Sequence, residues 1–376
     1  MEIVKEGYKQ TEVGIIPEEW IACELGDVLK IRHGKGQKEV EDKNGDYPIL
    51  GTGGLMGYAN KFLYNKESVL IGRKGTIDKP RYMETPFWTV DTLFYSEIKP
   101  NAIAKYLYYN FLLIDWYSHN EASGVPSLNA SKIEKIFIPL PPTLTEQKAI
   151  ATALSDVDEL INNLDKLITK KKAIKQGAMQ ELLTGKKRLA GFDGEWAEKK
   201  LGDISKINMG QSPLSSYYND DGVGLPLVQG NADIKNRKTI IRNYTSQITK
   251  TADAGDIIMS VRAPVGEVAV ARFNCCIGRG VCSIKYPNDF LYHYLIYFEP
   301  SWGKFSTGST FDSINSNQLR DMNISIPNSS DEQKTIAQIL SDMDIEIEQL
   351  ANRRTKYQNI KQGMMQELLT GKTRLV

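Results

Sequence analysis

"IKQGAMQELLTGK" occupies Ile174–Lys186, and "IKQGMMQELLTGK" occupies Ile360–Lys372. Twelve of these thirteen positions are identical, 186 residues apart. The match widens without a gap to Glu146–Leu189 against Glu332–Leu375, with 27 identities in 44 positions. A fixed-period match on this scale marks a duplicated unit. The same offset places Tyr106 on Tyr292, Trp116 on Trp302, Ser123 on Ser309 and "SLN" (Ser127–Asn129) on "SIN" (Ser313–Asn315). Near each unit's start, "EEWIACELGD" (Glu18–Asp27) matches "GEWAEKKLGD" (Gly194–Asp203) at an offset of 176. The second unit therefore carries about ten extra residues inside its globular part.

The segment ends a long helix. "TLTE" (Thr143–Glu146) and "SSDE" (Ser329–Glu332) fit a capping box that starts each helix. Beyond them Ile150, Leu154, Val157, Ile161, Leu164 and Ile168 recur in steps of four and three. Ile336, Leu340, Met343, Ile347, Leu350 and Arg354 repeat that spacing, the seam of a coiled coil. Forty residues (145–184) at 1.5 Å each give a helix of roughly 60 Å. Each helix begins acidic and ends basic, an order its own dipole favours. Antiparallel packing of the copies also sets acidic halves against basic ones, and that arrangement is expected. Gly177 and Gly363 interrupt both helices at the same place, which suggests a close crossing or a kink. Beyond them Met179, Leu182 and Leu183, with their counterparts Met365, Leu368 and Leu369, form an apolar face. Two destinations are weighed for it, a partner protein or the neighbouring globular region, and docking of a partner is the expectation.

Four segments follow: residues 1–142, a first globular domain; 143–190, a first long helix; 191–328, a second globular domain; 329–376, a second long helix. Short strand-like runs ("SVLIGRKG", "VDTLFYSEI", "DIIMSVRAPVG") and one aromatic helix-like run ("AIAKYLYYNFLLI", "DFLYHYLIYF") fill each domain. The expected fold is α/β or α+β, used twice. The matched Trp20 and Trp196, and also Trp88, Trp116 and Trp302, read as core.

Composition and motifs narrow the function. The 376 residues carry 25% charged and 41% hydrophobic side chains and a formal net charge of +1. No apolar run of eighteen or more residues occurs, so no membrane span is expected. The N-terminus "MEIVKEGYKQTEVG" has no apolar signal core, and the four cysteines form no CxxC pair. A reduced, cytoplasmic protein is the default expectation. "LTGKT" (Leu369–Thr373) ends a helix and lacks the first glycine of a phosphate loop, so Gly185 and Gly371 read as helix C-caps. The three histidines have no metal spacing, and no amino-methyltransferase, kinase or nucleophile-elbow motif is present. Binding without catalysis is the expectation.

The full pattern resembles the specificity subunit of type I restriction–modification systems. Two differing globular regions each precede a helix ending "KQG-MQELLTGK-RL". "IPEEW…LGD" and "FDGEW…LGD" precede the variable regions, and "IPLPPTLTEQKAIA" and "SIPNSSDEQKTIA" open the helices. "VLIGRKGT", "PFWTVDTLFY", "GDIIMSVRAPVGEVA" and "CIGRGVCSI" lie inside the variable regions. The resemblance spans the chain. It implies two target-recognition domains, each reading one half of a bipartite double-stranded DNA sequence. It also implies an antiparallel helical stalk and docking of two methyltransferase subunits, with restriction/translocase subunits completing the enzyme. S-adenosylmethionine, and ATP and Mg for restriction, are expected on those partners and not on this chain. A coiled-coil scaffold without DNA readout is the competing reading.

Candidate DNA contacts combine phosphate binders with base-edge readers. In the first domain these are Lys35, Gln37 and Lys38 in "RHGKGQK", then Arg73, Lys74, Thr76, Lys79 and Arg81 in "GRKGTIDKPR". In the second they are Gln211, Ser212, Tyr217 and Tyr218 in "MGQSPLSSYY", and Gln229, Asn231, Lys235 and Arg237 in "VQGNADIKNRK". Arg262 in "SVRAPVG" and Arg279 in "IGRG" complete the set. The competing reading for each is a solvated surface loop. Ser123, Ser127, Ser309 and Ser313 are weaker candidates for backbone or phosphate contacts.

Overall fold

A computed structural model describes residues 6–304 and 313–375. Ser309 lies outside the described residues. The chain divides into two compact units, Met1–Asp165 with Arg353–Val376, and Lys166–Asn352. Each unit thus joins one globular domain to the first part of one long helix and the last part of the other.

In the first unit, after an N-terminal antiparallel hairpin of Tyr8–Thr11 and Gly14–Pro17, the strands are β1 (Ile21–Glu24), β2 (Leu29–His33), β3 (Tyr47–Gly51), β4 (Gly54–Ala59), β5 (Ser68–Gly72), β6 (Arg81–Met83), β7 (Trp88–Thr89), β8 (Leu93–Ile98) and β9 (Phe137–Leu140). An antiparallel sheet runs β2-β8-β5-β6. A smaller sheet runs β4-β3-β7, its β3/β7 pair parallel, and β9 pairs with β1. Strand β5 is buried along its whole length, as its unbroken "SVLIG" requires. Helix α1 (Ala104–Leu113) buries Tyr106, Leu107, Tyr109 and Phe111.

The second unit repeats the plan with β10 (Trp196–Lys200), β11 (Lys206–Met209), β12 (Leu225–Val228), β13 (Ile234–Lys235), β14 (Lys238–Thr239), β15 (Asn243–Thr245), β16 (Ile257–Ser260), β17 (Val268–Val270), β18 (Cys275–Ile277), β19 (Val281–Lys285) and β20 (Asn323–Pro327). Its main sheet runs β11-β19-β16-β17-β14-β13, and β15-β12-β18 form the middle of a second sheet. The β12/β18 pair is parallel, like β3/β7. Hairpin β13–β14 has no counterpart among the described residues of the first domain. Leu50 and Val228, 178 residues apart, occupy equal places in these parallel pairs. Arg73 and Val261, 188 residues apart, donate and accept equivalent backbone bonds. The ten-residue difference puts the expected insertion between β12 and β16, where the hairpin lies.

Helix α2 (Leu144–Leu182) and helix α4 (Ser330–Leu368) are each 39 residues long; α3 (Phe290–Phe298) is the second domain's counterpart of α1. In the first unit Lys361 pairs with Asp158 and Arg354 with Asp165, both at 2.6 Å. In the second, Lys171 pairs with Glu346 at 2.7 Å and Lys175 with Asp344 at 2.5 Å. In both units the residue number rises on one helix as it falls on the other, so the packing is antiparallel. The two cations at seam positions, Lys171 and Arg354, therefore face acids.

Two expectations are corrected. Met179, Leu182 and Leu183 are buried in the second domain's core with Leu201, Phe290 and Ile336. Met365, Leu368 and Leu369 are buried in the first domain's core with Trp20, Tyr106 and Ile150. This stripe is internal packing and offers no surface to a partner, because the helix tail caps a domain that would otherwise expose its apolar floor. Gly177 and Gly363 mark no close crossing among the described residues. Both helices run through them, both are exposed, and a Cβ at either would meet nothing within 4 Å.

The helix ends behave as C-caps. Gly185 and Gly371 adopt φ of 68° and 71°, and the Lys187 and Thr373 amides reach back to the Glu181 and Glu367 carbonyls at 3.2 Å. At the helix starts only half of each capping box forms. Thr143 and Ser329 accept the Glu146 and Glu332 amides, but the carboxylates turn to Arg374 and Arg188.

Candidate nucleic-acid interface

One end of each domain is built from four loops at strand ends, tied by the same backbone hydrogen bonds. In the first domain Lys35 donates to Thr89 and Val90 to Leu50, while Arg73 donates to Thr92 and Leu128 to Arg73. In the second Gln211 donates to Ile277 and Gly278 to Val228, while Val261 donates to Gly280 and Ile314 to Val261. Lys35 thereby corresponds to Gln211, Gly53 to Asn231 and Asp91 to Arg279. Isolated bridges Lys74–Ser127 and Arg262–Ser313 make Lys74 the counterpart of Arg262. The "S-x-N" motifs explain themselves here: the serine joins the bridge, and Asn129 and Asn315 cap the short helices that follow.

Glycines permit this crowding. A Cβ at Gly34 would lie 2.0 Å from the Val90 carbonyl, at Gly210 2.1 Å from that of Gly278, and at Gly280 2.0 Å from that of Gln229. No larger residue fits where backbones approach so closely.

The predicted side chains separate into exposed and engaged groups. Lys35, Lys38, Lys74 and Lys79 are exposed, and Gln37 and Thr76 are half-buried. Arg73 is half-buried and donates to the Asp91 carbonyl at 3.2 Å. Arg81 is turned inward, donating to the Gly51 and Thr52 carbonyls at 3.3 and 3.0 Å, so it anchors a loop. In the second domain Gln211, Tyr217, Lys235, Arg262 and Arg279 are exposed. Ser212 Oγ accepts the Arg279 amide at 3.1 Å and holds that loop. The Tyr218 hydroxyl is spent on the Pro213 carbonyl at 3.1 Å. Arg237 is engaged as well: it forks onto Glu299, with Nη2 at 2.7 Å from Oε2, and donates to the Val268 carbonyl. Its φ of 62°, beside 51° at Asn236, is the two-residue turn of the β13–β14 hairpin.

A cleft of ≈ 470 Å³ lies within this end of the second domain. Gln229, Asn231 and Arg262 line it, joined by Asp233 and Arg242, which sequence reasoning missed. The Asp233 carboxylate is nearly buried, accepts the Gln229 amide at 2.7 Å and the Gly230 amide at 3.3 Å, and lies 3.7 Å from Arg242 Nη1. Asn231 Nδ2 donates to Glu267. The signal for Asp233 was its place three residues beyond a glycine, where a carboxylate caps a turn.

Among the described residues no group of three or more His, Cys, Asp or Glu could hold a metal ion, and no helix is long and apolar enough to cross a membrane. Burial pushes the thiol of Cys23 up to about 11 and those of Cys275 and Cys282 to about 12, so these sulfurs are packing groups and not nucleophiles.

A repeated α+β domain that presents amides and cations on glycine-tightened loops is the architecture of a recognition subunit. The type I restriction modification DNA specificity domain matches this chain twice, over residues 17–176 and 193–358, and the chain belongs to that family. A Methanocaldococcus jannaschii protein, provisionally named the specificity subunit of type I restriction enzyme MjaX, is 33% identical over 99% of this chain and 97% of its own length. The MjaVIII specificity subunit of the same organism is 26% identical over the same shares of the two chains. The crystal structure of a type I restriction–modification S subunit from M. genitalium shares the fold, with a TM-score of 0.69 at 16% identity over 93% of this chain and 96% of that one.

Proposed function

We propose that this chain is the non-catalytic specificity subunit of a cytoplasmic type I restriction–modification complex and reads a bipartite duplex sequence, one half per domain. The observation that carries this reading is the four-loop end built twice from one set of backbone bonds, with different side chains on it. Equal frames with unequal readers suit two half-sites of different sequence. Helices α2 and α4 set the spacing of the half-sites. Two methyltransferase subunits holding S-adenosylmethionine modify adenine, and restriction/translocase subunits using ATP and Mg complete the assembly.

The docking face is reassigned. Ile174 and Ile360 are 47% and 39% exposed, one turn before the open Gly177 and Gly363. An exposed glycine within a helix costs about 1 kcal/mol relative to alanine, and among the described residues nothing lies within 4 Å of where its Cβ would stand. A repeated apolar-and-glycine face suits a closely approaching partner helix, once per repeat.

Co-expression with the cognate methyltransferase subunit, followed by genome-wide mapping of methylated adenine, tests the reading. One bipartite motif is expected. Replacing Gly26–Lys135 with another domain of the family changes one half of the motif. Change in both halves or in neither, or no motif at all, overturns the assignment.

A further inference from the structure

We infer that Arg242 reads a guanine in the half-site bound by the second domain, with Asp233 as its positioning residue. The inference rests on the DNA-reading function proposed above and adds the base and the residue.

Three observations converge on Arg242. It lines the cleft that also holds Gln229, Asn231 and Arg262. Its side chain is half-exposed, so the guanidinium meets whatever fills the cleft. One nitrogen faces Asp233, which has 8% of its side chain exposed and is locked by two backbone amides of the Gln229–Gly230 turn. At 3.7 Å this is an ion pair without a hydrogen bond: the acid draws one edge of the guanidinium and leaves the fork of its other N–H groups free for the cleft. That fork matches the O6 and N7 acceptors of guanine in the major groove. An acid that biases the cation toward the cleft favours a base reader over a phosphate contact, which needs no such partner.

The other arginines nearby differ in this respect. Arg237 is consumed by Glu299. Arg262 is exposed at the rim with its backbone bridged to Ser313, and no acid is paired with its side chain among the described residues. That is the setting of a phosphate contact. Asp233 serves twice, because the turn it closes also carries Gln229, whose amide suits adenine in the same groove. The first domain holds the matching turn the opposite way: Arg81 grips the Gly51 and Thr52 carbonyls. A buried acid in reach of a reader is thus particular to the second domain, and so is the guanine.

The test uses the complete methyltransferase complex with the wild-type chain, Arg242→Lys, Arg242→Ala, Asp233→Asn and Arg262→Ala. Methylation motifs and binding to a library randomised in both half-sites are measured over a salt series. Arg242→Lys and Arg242→Ala should relax one guanine position of one half-site by about 10- to 100-fold, leaving the other half-site intact. Asp233→Asn should relax the same position by less. Arg262→Ala should weaken all sequences alike and flatten the salt dependence by about one phosphate. An unchanged motif with Arg242→Lys, uniform weakening by it, or relaxation at a position other than guanine overturns the inference. A wild-type complex with no bipartite motif would instead remove the underlying function. Melting temperatures of the variants identify an Arg242→Ala loss due to unfolding, and Arg242→Lys then decides.

Discussion

Arg374 forks onto Glu146, its Nη2 3.0 Å from Oε2, and the carboxylate is almost fully buried at the start of helix α2. The second unit repeats the fork with Arg188 and Glu332, at 2.8 and 2.9 Å. Each repeat's terminal arginine thus fastens a helix start. Removing the cation leaves a buried, uncompensated carboxylate. Arg374→Ala and Arg188→Ala should each cost about 2–4 kcal/mol, less than a fully buried pair because both arginines remain part-exposed. Chemical denaturation of each variant reads this. Losses below about 0.5 kcal/mol, the surface-pair range, would contradict it.

His293 gives the protein an acid sensitivity. It is fully buried in α3, and Nε2 lies 2.9 Å from Ser341 Oγ while Nδ1 has no hydrogen-bond partner among the described residues. Burial first, then the Lys175 ammonium, lower its pKa to about 4, against the opposing pull of Asp344. The unfolded chain protonates near 6.5 while the folded chain stays neutral. Stability is therefore full above that value and falls as pH drops through it toward 4, by up to about 3 kcal/mol. Leu107 occupies the matching place in α1. His293→Leu should flatten the stability profile between pH 6.5 and 4, as read by thermal melts.

The four repeated glycines should part into two pairs. Gly371 holds a positive φ, and a Cβ there would meet Pro17 at 2.5 Å; Gly185 likewise faces Trp196 at 3.2 Å. Alanine at either should destabilise by about 1–2 kcal/mol. Alanine at Gly177 or Gly363 should stabilise by about 1 kcal/mol and weaken methyltransferase binding. Melts and sedimentation of the reconstituted complex measure the two effects separately.

Arg237 should matter for stability and not for sequence choice. Its fork on Glu299 holds the inserted hairpin to the end of α3, so Arg237→Ala should cost about 1–3 kcal/mol with an unchanged methylation motif. A relaxed motif at normal stability would return Arg237 to the readers.

The duplication, the paired helices and the glycine caps were legible because each is a local or periodic signal. The reading loops were legible only in outline. "GRKG" and "SVRAP" look alike, but the equivalence of Asp91 with Arg279 is hidden by offsets that change from 176 to 188 along the domain. Arg81 and Arg237 looked free because the groups that occupy them, Gly51 and Glu299, lie 30 and 62 residues away. Arg242 was passed over because Asp233 acquires its role only when the Gln229 turn closes. The apolar stripe at Met179 was ambiguous for a further reason: a helix tail shows which face is greasy and not what covers it.

That covering has a consequence for synthesis. The first domain's core includes Met365, Leu368 and Leu369. At about 5–20 residues per second, the ribosome needs on the order of 10–40 s after finishing Asp165 to deliver them. During that interval the first domain stands open at its base, and the near-identical tail of α2 has already emerged. The nascent chain thus holds the right plug sequence early and the right plug late, and correct assembly depends on the second domain claiming the first tail before the last one arrives.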